Sequence, residues 1–128
     1  MKSRILVMDD DPSICKICTL FLNRLGYDVD CAPNGEQAIE LFSSAMKANT
    51  PYRAVILDLT VRTGMGGLEA VKELRVLDPH VYAIMSSGSS VDRQTASYHS
   101  QGFDAILPKP FRLQDITECM KPIKPLDT

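Results

Sequence analysis

The chain has 128 residues, a net charge of −2 from 14 Lys and Arg against 16 Asp and Glu, and 45% apolar residues. That is enough chain to bury roughly two-thirds of its unfolded surface in one domain, and it offers no basic field or Lys/Arg cluster to nucleic acid. No apolar run approaches the roughly 18–20 residues of a membrane span and no signal-peptide layout opens the sequence. The expectation is a single cytoplasmic domain without membrane contact, freestanding or part of a membrane-anchored protein, with a core over about residues 3–122 and a frayed tail over 123–128.

Ile5-Leu6-Val7-Met8 reads as a strand, followed by Asp9, Asp10 and Asp11. Asp11 is placed to cap a helix with Pro12 in its first turn; Ile14, Ile17, Cys18, Phe21, Leu22 and Leu25 recur at helical spacing until Gly26. Residues 27–32 alternate, with Tyr27, Val29 and Cys31 inward and Asp28 and Asp30 outward, as in an edge strand exposed on one side. Asn34 caps a second helix, with Gln37 placed to reach back and Ile39, Leu41, Phe42 and Met46 inward. After the loop Asn49-Thr50-Pro51, the unbroken run Ala54-Val55-Ile56-Leu57 reads as a central strand buried on both faces, and it ends at Asp58.

Gly64-Met65-Gly66-Gly67 reads as a flexible turn into a third helix carrying Leu68, Val71, Leu74 and Leu77, which Asp78-Pro79 ends. The strand Val81-Tyr82-Ala83-Ile84-Met85 leads to Ser86. A fourth helical stretch over about 91–100 has a thin apolar face of Val91, Ala96 and Tyr98. Ala105-Ile106-Leu107-Pro108 is a fifth strand, closed by Lys109. A last helix over about 112–121 presents Leu113, Ile116 and Met120 before Pro122 and Pro125. Five strands alternating with five helices imply an α/β fold, a doubly wound parallel sheet.

Four cysteines are present. Cys15-x-x-Cys18 has the spacing of a redox or zinc pair, but it lies within a helical apolar stripe, where thiols pack as small hydrophobes. Zinc needs two further ligands, and Cys31, Cys119, His80 and His99 show no partner spacing. The cysteines are expected to be free thiols, and the two histidines surface residues.

Strand ends carry the chemistry. In an open parallel sheet, ligands bind outside the carboxyl ends of the strands where strand order reverses. Two carboxylates 4 Å apart repel by about 4 kcal/mol at an effective dielectric of 20, so Asp9, Asp10 and Asp58 together call for protonation, a lysine or a cation. Hard oxygen donors suit Mg²⁺, which keeps waters and accepts phosphate oxygens. Lys109 supplies a compact positive charge for phosphate. Asp58 then fits the role of a nucleophile forming an acyl phosphate, and the Ser86 hydroxyl that of a donor to a phosphoryl oxygen.

With Asp9-Asp10 after the first strand, Asp58 after the third, Ser86 after the fourth and Lys109-Pro110-Phe111 after the fifth, the chain resembles, over essentially its whole length, the receiver domains of two-component response regulators. The resemblance implies a flavodoxin-like sheet of order 2-1-3-4-5. It implies that Asp58 accepts a phosphoryl group from a phosphohistidine of a histidine kinase or histidine phosphotransfer protein, so that the domain catalyses only its own phosphorylation and dephosphorylation. Asp10, Asp58 and the backbone carbonyl of Thr60 would ligate Mg²⁺, Asp9 acting largely through water. Lys109 would pair with the phosphoryl group, next to a cis Lys109-Pro110 bond. The stretch from Met85-Ser86-Ser87-Gly88-Ser89-Ser90 to Gly102-Phe103-Asp104 resembles receivers of hybrid sensor histidine kinases, as does Thr63-Gly64-Met65-Gly66-Gly67. An output or kinase domain in a longer parent chain is therefore expected as a partner.

Three departures stand out. Ile106 occupies a position where many receivers carry Tyr or Phe, Arg62 one where proline often stands, and the loop to Gly67 reads one residue longer. Thr60 and Ser87 hold positions that vary within the family and tune dephosphorylation. Three other readings compete. A phosphorylation-independent interaction domain of the same fold would be expected to have lost an acid or the lysine. A nucleotide- or flavin-binding module would use the Gly64–Gly67 run as an anion cradle, but three aspartates follow the first strand. A phosphohydrolase of the aspartyl-phosphate type would carry an acid two residues after Asp58, where Thr60 stands.

Overall fold

The computed structural model describes residues 2–88 and 97–123. Along them run β1 (Arg4–Met8), α1 (Pro12–Arg24), β2 (Asp28–Ala32), α2 (Gly35–Lys47), β3 (Tyr52–Asp58), α3 (Gly67–Leu77), β4 (Tyr82–Ser87), β5 (Ala105–Pro108) and α4 (Leu113–Cys119). All strands are parallel, in the order β2-β1-β3-β4-β5. This is the flavodoxin-like order, and it reverses at the β1–β3 pair.

Strand periodicity sorts the core into two halves. Leu6, Met8, Val55, Leu57, Ala83 and Met85 pack on one face of the sheet against Ala38 and Phe42 of α2 and Val71 and Leu74 of α3. Ile5, Val7, Ala54, Ile56, Ile84 and Leu107 pack on the other against Cys18 and Leu22 of α1 and Ile116 of α4. Both faces are covered, which is why β1, β3 and β4 read as unbroken apolar runs rather than as alternation.

Helix starts follow local chemistry. The Asp11 carboxylate accepts the Ser13 N–H at 2.9 Å, with Pro12 next to it. Asn34 accepts the Gln37 N–H at 3.0 Å, so Gln37 takes part through its backbone. Each cap contributes about 1 kcal/mol. Gly26, at φ 98°, supplies the left-handed residue just after α1.

Some apolar positions lie elsewhere than expected. The buried stripe of α2 is Gly35, Ala38, Phe42 and Ala45, which leaves Leu41 and Met46 exposed on its margins; Ile17 of α1 and Leu77 of α3 are exposed as well. Cys31, expected inward, is exposed, because β2 is the sheet's edge and only α1 shelters that side. Of the expected fourth helix, residues 91–96 lie outside the described residues and 97–100 form a turn, so the described residues contain four helices. No helix among the described residues is long and apolar enough to cross a membrane.

The Gly64–Gly67 segment is tightly seated rather than a flexible turn. A Cβ on Gly67 would stand 2.6 Å from the Asp58 carbonyl oxygen, and one on Gly66 2.5 Å from that of Leu59. Only glycine lets α3 begin this close to the end of β3. The loop is also laced to the start of α2: the Met65 carbonyl accepts the Gly35 N–H at 2.7 Å, and the Met65 N–H donates to Glu36 Oε1 at 2.8 Å. Gly67→Ala is expected to cost about 1–3 kcal/mol, the range of overpacking in a filled interior, read as a lower urea midpoint. An unchanged midpoint would show that the backbone contact yields freely.

Candidate functional site

Parallel register gathers the site. Met8 pairs with Leu57, Asp58 with Ser86, and Ser86 with Leu107. Asp9 continues β1, its N–H donating to the Ala32 carbonyl at 3.0 Å, and Lys109 continues β5, its N–H donating to the Ser87 carbonyl at 2.8 Å. Asp9, Asp58, Ser86 and Lys109 thus emerge at the same edge of four neighbouring strands.

Carboxylate oxygens of Asp9, Asp10 and Asp58 lie within 4.8 Å of one another. Asp9 and Asp58 are buried and Asp10 is partly buried. Lys109 Nζ stands 2.6 Å from Asp9 Oδ2 and 3.5 Å from Asp58 Oδ1. Asp9 Oδ1 accepts the Asp11 N–H at 2.9 Å. Burial lowers the proton affinity of Lys109, and the two carboxylates more than reverse that, so its pKa is raised. Burial first and Asp9 second push Asp58 from the ordinary 3.8 up to about 6, against the opposing pull of Lys109 and the Thr60 N–H.

Three carboxylates facing one ammonium leave a double negative charge when all are ionised. This set of three carboxylates within one ligand's reach, carrying more negative charge than Lys109 offsets, fits a hard divalent cation. Asp10 is steered by the Arg62 N–H, which donates to its Oδ2 at 2.9 Å. The Arg62 guanidinium, at 3.7 Å and with its side chain 89% exposed, contributes little. Ser86 Oγ is buried and has no hydrogen-bond partner among the described residues. Such a group is uncommon in a folded interior; here it lies beside Asp58 in the sheet. Thr60 is exposed, directly after Leu59, whose N–H donates to the Ser86 carbonyl at 3.1 Å.

A family model for the response regulator receiver domain matches residues 5–121. The chain belongs to that family. This receiver domain is 31% identical over 122 residues to the transcriptional regulatory protein CpxR homolog of Haemophilus influenzae, covering 94% of this chain and 50% of that one. It is 36% identical over 94 residues to the transcriptional regulatory protein AruR of Pseudomonas aeruginosa, covering 73% and 38%. The chain therefore spans half or less of the length of these relatives. Its fold matches a chain of the CheX–CheY–BeF3–Mg²⁺ complex from Borrelia burgdorferi with a TM-score of 0.84 at 20% identity, over 94% of this chain and 88% of that one.

Every strand-end residue singled out from the sequence reaches one locus in this receiver, and the expected cis Lys109-Pro110 bond is present. Ile106 packs partly buried against the same core as Tyr98. His80 and His99 are exposed, and all four cysteines are free thiols. The sequence reading missed the Arg62 N–H on Asp10 and the seat of Gly67 under Asp58. Arg62 carried no local signal because its backbone makes the contact.

A carboxyl with a raised folded-state pKa holds its proton more tightly folded than unfolded. Its contribution to stability is full below about 3.8 and lost as pH rises through about 6. In metal-free protein, Asp58→Asn is expected to raise stability by about 1–3 kcal/mol at about pH 7 and by little at about pH 4, measured by urea unfolding in chelator. Equal gains at both pH values would contradict this electrostatic account.

Proposed function

We propose that this receiver domain is a phosphoacceptor switch in which Asp58 takes a phosphoryl group from a phosphohistidine of a histidine kinase or histidine phosphotransfer protein. What carries the reading is the pairing of Asp58 with two groups suited to phosphoryl oxygens: the Lys109 ammonium 3.5 Å away and the buried Ser86 hydroxyl, which has no partner among the described residues. Above about pH 6 Asp58 is chiefly ionised and carries the lone pair the reaction needs. An Asp58 oxygen attacks phosphorus, the P–N bond to the donor imidazole breaks, and its electron pair leaves with the imidazole nitrogen. Mg²⁺ held by Asp10, Asp58 and the Thr60 carbonyl, with Asp9 acting through water, would neutralise the charge between carboxylate and phosphoryl group.

The product carries about −1.5 to −2 charge and new acceptor oxygens. Among the described residues, Lys109 and Ser86 are the donors placed to meet them, and drawing Ser86 in moves the end of β4. That is how a local charge becomes a change of shape. The parent relatives are longer than this chain, so a linked output or kinase domain is the proposed recipient of the signal. The solved CheX–CheY complex with BeF3 and Mg²⁺ supports the reading by its fold.

Acetyl phosphate with Mg²⁺ is expected to add roughly 80 Da, one phosphoryl group, in intact-mass spectrometry. Asp58→Asn and chelation of Mg²⁺ should each abolish the gain. An undiminished gain in Asp58→Asn would refute Asp58 as acceptor.

A further inference from the structure

Cys15 and Cys31 meet where the end of β2 passes the first turn of α1. The Cys15 thiol donates to the Asp9 carbonyl at 3.5 Å. Cys31 Sγ lies 3.9 Å from the Cys15 carbonyl oxygen and 3.7 Å from Thr19 Oγ1. Both cysteines line two clefts: one of about 390 Å³ along α1 past Lys16, Leu20 and Asn23, and one of about 190 Å³ that reaches Asp9 and Asp10. Cys31 is exposed and Cys15 partly so, whereas Cys18 is fully buried and the Cys119 thiol is engaged by the Ile106 carbonyl at 3.2 Å.

We propose that Cys15 and Cys31 form a redox modification site, closing to an intramolecular disulfide on meeting a hydroperoxide and reopening with a dithiol. This does not depend on the phosphoacceptor reading. The two thiols divide the labour. Exposure separates them: Cys31 is open to solvent, whereas Cys15, its S–H held by the Asp9 carbonyl, is partly covered. The thiolate is the reactive species, and Cys31 is the more solvent-open of the two sulfurs. Cys18 is pushed up to about 12 and Cys119 to about 11, burial being the main cause for both.

The steps balance without a further reactant. The Cys31 thiolate attacks the outer peroxide oxygen and the O–O bond breaks. The departing alkoxide or hydroxide takes a proton, leaving Cys31 as a sulfenic acid. The Cys15 sulfur then attacks the Cys31 sulfur, the S–S bond forms, the S–O bond breaks, and hydroxide leaves with the Cys15 proton as water. The peroxide is reduced by two electrons and the thiol pair is oxidised by two. The closed bond ties the first turn of α1 to the end of β2 on the wall of the cleft that holds Asp9 and Asp10, so the cell's peroxide level has a covalent mark beside the acidic site.

The test is hydrogen peroxide treatment of the native protein, a denaturing N-ethylmaleimide quench, trypsin, and mass spectrometry. Trypsin cuts after Lys16 and Arg24, so Cys15, Cys18 and Cys31 fall in separate peptides, residues 5–16, 17–24 and 25–47. The expected product links 5–16 to 25–47 at roughly 2 Da below their summed mass, the two hydrogens lost on oxidation, with Cys18 still alkylated. Dithiothreitol should release the pair, and Cys31→Ser should leave Cys15 fully alkylatable. Separate, fully alkylated peptides, a Cys15–Cys18 link, a bond between two chains, or sulfinic acid at Cys31 with Cys15 untouched would each overturn the proposal.

Discussion

One ammonium holds two buried carboxylates together, and the rest of the site depends on that arrangement. Lys109 Nζ lies 2.6 Å from Asp9 and 3.5 Å from Asp58, which come from two strands paired side by side. A repulsion of about 4 kcal/mol between neighbouring carboxylates is tolerable only because a third element delivers a cation to the same point. It can do so only in a parallel sheet, where β1, β3 and β5 all end at one edge. The compensation is partial. Asp58 still stands near 6 rather than at the ordinary carboxylate value, and Asp10 adds a third charge. The site carries more negative charge than its lysine neutralises, which favours a bound divalent cation.

Backbone packing fixes the distance scale. The close seat of Gly67 against the Asp58 carbonyl and the Met65 contacts with Gly35 and Glu36 bind the loop after β3 between the start of α2 and the start of α3. Asp58 therefore sits at the end of a strand whose continuation is held, while Ser86 beside it keeps a hydroxyl with no partner among the described residues. A held carboxylate thus stands next to a buried hydroxyl whose hydrogen bonding is still open among the described residues.

The sequence makes much of this legible because the signals are local. Unbroken apolar runs imply strands covered on both faces, and polar residues ending each run imply the edge where they converge. Asp11 and Asn34 announce their helices by type and position. What escapes is what depends on two distant pieces of chain. Gly67 reads as a turn until the Asp58 carbonyl is seen against it. Leu41 and Met46 look like core residues because their type is apolar, although the stripe that packs is the one formed by Ala38, Phe42 and Ala45. Cys31 shows no spacing relation to Cys15; only the passage of β2 over α1 makes them neighbours.

The central claim concerns how the strand-end groups divide between cation and phosphoryl group, and a crystal structure grown with beryllofluoride and Mg²⁺ tests it most directly. The account predicts beryllofluoride on an Asp58 carboxylate oxygen, accepting from Lys109 Nζ and Ser86 Oγ, with Mg²⁺ beside Asp10 and Asp58. Beryllofluoride bound away from Asp58, or Asp58 and Ser86 unchanged with both reagents present, would contradict it.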